Sequence, residues 1–327
     1  MIDAQDKISV ALCTYNGERF LGRQLASMQQ QTRLPDELVV CDDCSTDSTI
    51  EILNDFAASA RFPVRIIRNE QNLGFVANFE QAIRLCQGDL IALCDQDDIW
   101  YPTRLERSQQ EFAAHPAAGL VFSDGDVIDD RDELKGTRLW TNYGFNLERK
   151  QRLLAGDYTV LPRNSFVTGA TVMFRSRLRE NCLPVGSGWL HDEWIVGVAA
   201  AIADVRPIDF PLIRYRQHAA QQVGLGPRPS RRERSKRHWS ELFLQIGRLE
   251  EICSRLSQQS LTMRGAGLYA CYQAHLRFAR FRYALPSRRL ARLPAMLRQY
   301  RAYAACGSGV FSMASDIVLR KKSQNGG

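Results

Sequence analysis

The 327-residue sequence has no apolar run long enough to cross a bilayer. The longest, Trp194 to Ala203, is ten residues, against about 20 for a spanning helix. Its first residues, Met1 to Lys7, are polar and partly acidic, so no signal peptide is expected there. It contains no Gly-x-Gly-x-x-Gly, Walker A or His-Glu-x-x-His sequence, which removes the usual dinucleotide, P-loop and zinc-protease chemistries. Its nine cysteines are odd in number and follow no regular framework, so free thiols in a reducing cytoplasm are expected rather than a disulfide scaffold. Acidic residues are scarce in one region only. From Pro227 onward there are 5 Asp+Glu against 20 Lys+Arg, a net of +15.

What is present is an ordinary globular composition, 45% hydrophobic and 24% charged, enough for one large α/β domain or two smaller ones. Residues 1–226 carry 23 basic and 31 acidic groups, a net of −8. The division suggests an acidic part that holds the chemistry and a basic part that faces something anionic. The stretch Gly224 to Ser230, rich in Gly and Pro, reads as the linker between them.

Over the first 125 residues, apolar runs alternate with amphipathic stretches. Strands are expected at 8–13, 37–41, 64–67, 90–94 and 119–123, with a helix from about Glu18 to Gln30. That alternation predicts βαβ units and a mostly parallel sheet, whose ligand would sit beyond the carboxyl ends of the strands. Residues 126–165 read as a long polar loop, Phe166 to Phe174 as a strand and His191 to Ala203 as a helix. Beyond the linker, Leu242, Ile246, Leu249, Cys253 and Leu256 recur at helical spacing, and Leu268, Tyr272, Leu276, Ala279 and Tyr283 repeat the pattern.

Carboxylates follow three of these elements. Asp42 and Asp43 end the second strand, Asp95-Gln96-Asp97-Asp98 ends the fourth, and Asp192-Glu193 opens a later helix. Bunched carboxylates repel one another and need a compensating cation. A short Asp-x-Asp run suits Mg²⁺ or Mn²⁺, which keep waters and bind substrate phosphates. Capping of the next helix is the plainer use of Asp97 or Asp98, but three Asp in four residues exceed what one cap needs. Cys41-Asp42-Asp43-Cys44 is a CxxC after a strand; its two carboxylates would raise thiol pKa values that redox pairs need lowered.

Taken together, Val10 to Gly17 (VALCTYNG), Val40 to Asp47 (VCDDCSTD), Asn72-Leu73-Gly74 and Asp95 to Pro102 (DQDDIWYP) resemble family 2 glycosyltransferases. These are inverting enzymes with a GT-A fold. The resemblance spans about residues 7–225, and within the family it is most similar to bacterial rhamnosyltransferase-type enzymes, through DQDDIW and Tyr215-Arg216-Gln217-His218. It implies a GT-A catalytic domain over 1–226, a Rossmann-like α/β fold, with a basic helical extension over 227–327. It also implies transfer from a dTDP- or UDP-linked sugar, rhamnose among the candidates, to a glycan or polyprenyl-diphosphate-linked acceptor.

By the same resemblance, Thr14, Tyr15 and Asn16 would hold base and ribose, with Gly74 in the accompanying loop. Asp43 would accept the pyrimidine N–H and Asp95 would approach the ribose. Asp97 would ligate the divalent cation, with His218 as a further ligand. Asp98 would stand behind it or cap. Arg214 and Arg216 alternate along one expected strand and so share a face, where one would pair with a phosphate or both would balance the acidic cleft. Asp192 aligns with the general base, although the order His191-Asp192-Glu193 leaves Glu193 as an alternative.

The 17 Arg and 3 Lys beyond residue 226, interleaved with aromatics, fit an anionic membrane surface on the cytoplasmic side. They equally fit a solvated helical face. Nucleic acid is a weaker candidate, because no reading motif accompanies the charge. Two rival classes stay open: a sugar nucleotidyltransferase, which would show a richer glycine loop after the first strand, and a non-catalytic binder of nucleotide sugars or nucleic acid.

Overall fold

A computed structural model describes residues 6–163, 166–219, 221, 231–288, 290–307 and 309–319, without the side chains of 163, 231–237 and 310. The expected linker at 224–230, and with it the 226/227 boundary, lies outside the described residues.

The chain begins as alternating strands and helices. These are β1 (Ile8–Thr14), α1 (Leu21–Gln29), β2 (Glu37–Asp42), α2 (Thr49–Ser59), β3 (Val64–Arg68), α3 (Phe75–Leu85) and β4 (Leu90–Cys94). There follow β5 (Ile99–Trp100), α4 (Arg104–Ala114), β6 (Ala118–Ile128), β7 (Leu134–Arg138), α5 (Leu139–Tyr143) and α6 (Leu147–Leu154). Next come β8 (Val172–Arg175), α7 (Arg179–Cys182), α8 (His191–Ile202) and β9 (Asp204–Arg216). The rest is helical: α9 (Arg231–Ser257), α10 (Met263–Ala284), α11 (Leu293–Arg298), α12 (Tyr300–Cys306) and α13 (Val310–Val318).

The strands form one sheet in the order β3-β2-β1-β4-β8-β6-β9-β5, with β7 on β6. It is parallel across β3-β2-β1-β4, as the alternation predicts. Beyond β4 it is mixed: β8 runs antiparallel to both β4 and β6, whereas β6 and β9 are parallel. Strand order reverses beside β1, so the crevice opens where Thr14, Asp42 and Asp95 leave the sheet. β1 alternates its burial: Ala11 and Cys13 join the core on one face, Ile8, Val10 and Leu12 the core on the other.

Two stretches differ from the sequence expectation for identifiable reasons. β6 runs on to Ile128 through Asp124, whose buried carboxylate accepts the backbone N–H groups of Gly125 (2.8 Å) and Trp140 (3.0 Å). The expected 166–174 strand is shortened to β8, because Gly169–Thr171 form a tight helical turn that turns toward α8. In β9, Pro207 and Pro211 flank shifts of register against β6, as a residue without an N–H requires.

The basic C-terminal helices pack on the same core as α8. Leu249, Ile252, Leu268 and Tyr272 share one apolar cluster with Val198, Ala201 and the β1 and β4 residues of that face. Helix α10 begins at Thr262, whose hydroxyl accepts the Gly265 N–H (2.9 Å) and whose own N–H donates to the Ala201 carbonyl (3.0 Å). Several of the arginines expected to face an outside anion also pair with carboxylates of the chain. Arg264 pairs with Asp204 (2.8 Å), Arg280 with Glu250 (2.7 Å), and Arg282 with the buried Asp316 (2.7 Å). The Asp316 carboxyl is held down to about 2 despite its burial, by hydrogen bonds from Arg282, His238 and Tyr303.

A Cβ at Gly265 would stand 1.8 Å from the Ala201 carbonyl oxygen, backbone against backbone. Gly265→Ala therefore has to separate α10 from α8 and should cost about 3 kcal/mol. Urea unfolding of wild type and variant measures this; an unchanged midpoint would contradict the close packing of the two helices.

Candidate active site

At the carboxyl ends of β1, β2 and β4 lies a cavity of about 810 Å³. Its walls include Thr14, Tyr15 and Asn16 after β1, Asp43 after β2, Asp95 to Asp97 after β4, Asp192 on α8 and His218 after β9. Residues distant in sequence meet there because each closes a strand or opens a helix on the same side of the sheet.

The β1 end is held by side chains. Thr14 donates from its hydroxyl to Asp42 (2.9 Å), which also accepts the Ser45 N–H (2.9 Å). Asn16 takes φ of 47°, and its side-chain oxygen accepts the Thr46 N–H (2.9 Å). Gln96 bonds Tyr15 on both sides, accepting its N–H (2.8 Å) and donating to its carbonyl (3.0 Å). A Cβ at Gly17 would come within 2.3 Å of the Gln96 oxygen. Gly17→Ala should swing Gln96 away, release Tyr15 and raise the KM for a ligand held by that loop about tenfold, near 1.4 kcal/mol, with little change in folding stability. Steady-state kinetics beside thermal unfolding separates the two effects.

Asp43 is buried and accepts three hydrogen bonds, from Asn69 Nδ2 (2.9 Å) and from the backbone N–H groups of Leu73 (2.7 Å) and Gly74 (2.9 Å). The Asn72-Leu73-Gly74 loop is thus a brace for Asp43. Gly74, expected to contact substrate, does not line the cavity; with φ of 81° it turns its N–H onto Asp43 and starts α3.

Around β4, Asp95 is pushed up to about 7, first by burial and then by the charges of Asp97 and Asp192. Asp97 Oδ2 lies 2.8 Å from His218 Nε2, and His218 packs against Phe20 with ring centres 4.7 Å apart and the planes tilted by 48°. Asp98 and Arg216 stand behind this wall. Asp98 is fully buried and accepts the Arg216 N–H (2.9 Å); burial pushes its carboxyl well up. Arg216 is fully buried too, donating to the carbonyls of Asp97 (2.6 Å) and Asp129 (2.9 Å) and pairing with Asp132 (2.5 Å). It holds the backbone of Asp97 in place and is out of reach of a ligand phosphate in the cavity. Arg214 lies over the Tyr101 ring at 5.2 Å.

Asp192 and Glu193 part company at the start of α8. Asp192 lines the cavity, its Oδ2 accepting the Gly169 N–H (2.9 Å) and its Oδ1 the Glu193 N–H (2.8 Å). Glu193, the alternative base, is turned out of the cavity and pairs with Arg248 of α9. Beside Asp192 the cavity is aromatic, with His191 stacked on Phe79 at 4.0 Å, and with Phe75, Tyr143 and Tyr215. Burial lowers the His191 pKa, so the ring is neutral at pH 7. Phe75, Phe79 and Tyr143 were not marked by the sequence patterns, and Gln96 was visible there only as a member of the Asp run.

A divalent cation is tested by the donor set. Asp97 and His218 offer a carboxylate oxygen and an imidazole nitrogen side by side at the cavity wall, suiting Mn²⁺ or Mg²⁺ with its other positions left for ligand oxygens and water. Among the described residues no cluster of three or more His, Cys, Asp or Glu forms a complete cage. The residues fit a cation shared with a ligand. The Cys41-x-x-Cys44 pair carries no redox signature, since burial pushes the Cys41 thiol up to about 12 and Cys44 donates to the Asn69 carbonyl (2.9 Å).

Comparison with known proteins gives three findings. The profile described as Glycosyl transferase family 2 matches residues 9–180. A putative glycosyltransferase EpsE of Bacillus subtilis is 33% identical over 133 residues, 41% of this chain and 48% of that protein. The chain spans about half the length of the curated relatives it matches. Among solved structures, Staphylococcus aureus TarS 1-349 in complex with UDP superposes with a TM-score of 0.58 at 17% identity, over 95% of this chain and 88% of that one. A Pyrobaculum calidifontis mannosyltransferase in complex with GDP-Man and Mn²⁺ gives 0.53 at 18% identity, over 96% and 80%. The fold is that of these proteins.

Proposed function

The chain belongs to glycosyl transferase family 2, and we propose that it moves a sugar from a nucleoside diphosphate sugar to an acceptor hydroxyl with inversion at the anomeric carbon. The observation that carries this is the convergence of Asp43, Asp95, Asp97 and Asp192 on one cavity beside the Thr14–Asn16 loop.

The nucleoside lies against Thr14 to Asn16, with Asp43 accepting a hydrogen bond from the base and Asp95 near the ribose. Asp97 and His218 hold a divalent cation, which supplies neutralisation of the departing diphosphate when bound. UDP and dTDP sugars are the favoured donors; the GDP-Man and Mn²⁺ of the Pyrobaculum protein support the cation and widen the nucleotides to be tried.

Asp192 accepts the proton of the attacking hydroxyl. Its carboxylate takes two backbone N–H groups and keeps lone pairs for a third partner. Those amides fix its direction. The hydroxyl oxygen bonds to the anomeric carbon as the bond to the diphosphate breaks, so a single displacement inverts the centre. The aromatic side of the cavity (Phe75, Phe79, Tyr143) suits the C–H faces of an acceptor sugar.

The C-terminal helices are proposed to rest on an anionic membrane surface on the cytoplasmic side, where a polyprenyl-diphosphate-linked glycan would be met. No helix among the described residues is long and apolar enough to cross a membrane. Support comes from the net +15 beyond residue 226 and from strongly exposed Leu290, Leu297 and Phe311. Flotation with anionic vesicles at low salt should carry the protein upward, zwitterionic vesicles should not, and equal behaviour with both would contradict the surface.

The reaction is tested by incubating the protein with UDP-, dTDP- and GDP-sugars, Mn²⁺ and candidate glycan acceptors, and following nucleoside diphosphate release together with the product's anomeric configuration by NMR. Inverted product supports the proposal. Retained configuration, or pyrophosphate released from a nucleoside triphosphate instead, overturns it.

A further inference from the structure

Two arginines of α9 grip the segment that delivers Asp192. Arg255 donates to three backbone carbonyls of that segment, those of Asn181 (3.0 Å), Leu183 (2.9 Å) and Pro184 (3.0 Å). Seven residues earlier on the same helix face, Arg248 takes the other end. Its guanidinium lies 4.3 Å over the Trp189 ring and pairs with Glu193, while its backbone carbonyl accepts the Trp189 indole N–H (3.0 Å). Trp189 in turn packs edge-on against Trp194 (5.8 Å), whose indole N–H donates to the Cys182 carbonyl (2.7 Å).

Arg248 thus touches the residues on both sides of the His191-Asp192 pair and neither of the pair itself. This matters because the first turn of a helix is its least constrained part: its N–H groups have no partners within the helix. Asp192 Oδ1 accepts the N–H of Glu193, so wherever the Glu193 backbone goes, the Asp192 carboxylate follows. On the other side Trp189 fixes the point at which the chain enters α8.

We infer that Arg248 is a positioning residue for sugar transfer: held to Glu193 and Trp189, it locks the first turn of α8 and so aims Asp192 at the acceptor. The inference rests on Asp192 being the base. It makes the C-terminal helices part of the catalytic apparatus, and it gives Glu193 a task other than proton transfer. Pairing with Arg248 also keeps a further negative charge turned away from a cavity that already holds Asp95, Asp97 and Asp192.

The test uses the full chain with Arg248→Met, Arg248→Lys and, as a control on the same helical region, Arg280→Met, whose pair with Glu250 is exposed. Binding of UDP, dTDP and GDP with Mn²⁺ is measured by calorimetry, and turnover with whichever of their sugars the wild type uses. Exchange of the amide hydrogens of residues 191–195 is followed alongside. Arg248→Met should lower kcat about 10- to 100-fold, since small misplacement of a catalytic group costs that much, with diphosphate affinity and donor KM within about twofold of wild type. The α8 amides should exchange faster. Arg248→Lys should recover part of kcat, keeping the charge without the planar stacking, and Arg280→Met should behave as wild type.

Wild-type kcat and exchange in Arg248→Met would overturn the inference. So would equal losses of turnover, diphosphate binding and thermal stability, which would mean a general structural role. Asp192→Asn run in parallel separates the two claims. If that variant keeps turnover, the base assignment falls; if it is inactive while Arg248→Met is normal, only the role of Arg248 falls.

Discussion

Asp192→Asn should abolish transfer while leaving donor binding in place. The substitution preserves size: an amide oxygen can still accept the Gly169 N–H, while the amide NH2 in place of Oδ1 gives up the bond from the Glu193 N–H. What is lost is the ability to take a proton and the negative charge that steadies the attacking hydroxyl. General-base contributions run to about 10²–10⁴-fold, and kcat should fall by about 10³. The KM for the nucleotide sugar should stay within a few fold, because the nucleoside contacts lie with Thr14, Tyr15, Asn16 and Asp43. Glu193 cannot step in without leaving Arg248 and unwinding the start of α8. Near-normal turnover in Asp192→Asn would reject the assignment.

Asp97→Ala has a different expected signature: loss of cation-dependent binding before any chemistry. The interaction that fixes the Asp97 backbone is the bond from Arg216 to its carbonyl, which the substitution leaves intact. Folding should therefore be nearly unchanged. The side chain removed is the one beside His218, and with it goes half of the donor pair that suits the cation. Affinity for a nucleoside diphosphate in the presence of Mn²⁺ should drop about 100-fold, to the level seen without metal. Titration of wild type and variant with and without Mn²⁺ reads this directly. An unchanged Mn²⁺ effect in Asp97→Ala would remove Asp97 from the cation site.

The sequence makes the sheet's first half legible because its strands are short buried apolar runs bounded by polar turns. β1 to β4 fall within a residue of the expected limits, and Asp43 and Asp95, which follow β2 and β4, reach the cavity together. What sequence patterns miss is tertiary. Strand β6 continues through buried Asp124 because two backbone amides satisfy it, and apolar periodicity cannot register that. Tyr143 lies in a stretch expected to be loop, and Val167, Thr168 and Gly169 in one expected to be strand; neither pattern marked them as lining the cavity.

Residue type also misleads about direction. Arg216 and Asp98 have the chemistry of ligand-binding groups, but one strand step and full burial make them the scaffold of Asp97. Glu193 and Asp192 are neighbours on a helix, about 100° apart around its axis, so only one of them can face the cavity. The charge asymmetry of the C-terminal part was read as a surface for an anion. Six of its arginines, Arg248, Arg255, Arg264, Arg280, Arg282 and Arg292, are each bonded within the chain, Arg264 and Arg280 while still exposed to solvent.

The measurement closest to the central claim is a calorimetric titration of the wild-type protein with UDP, dTDP and GDP, each with and without Mn²⁺. One diphosphate should bind tightly only when Mn²⁺ is present, identifying the donor's nucleotide and the cation's place beside Asp97 and His218 in one experiment. Absence of binding by all three under both conditions would contradict the account, and would leave the Asp95–Asp98 run as a structural turn.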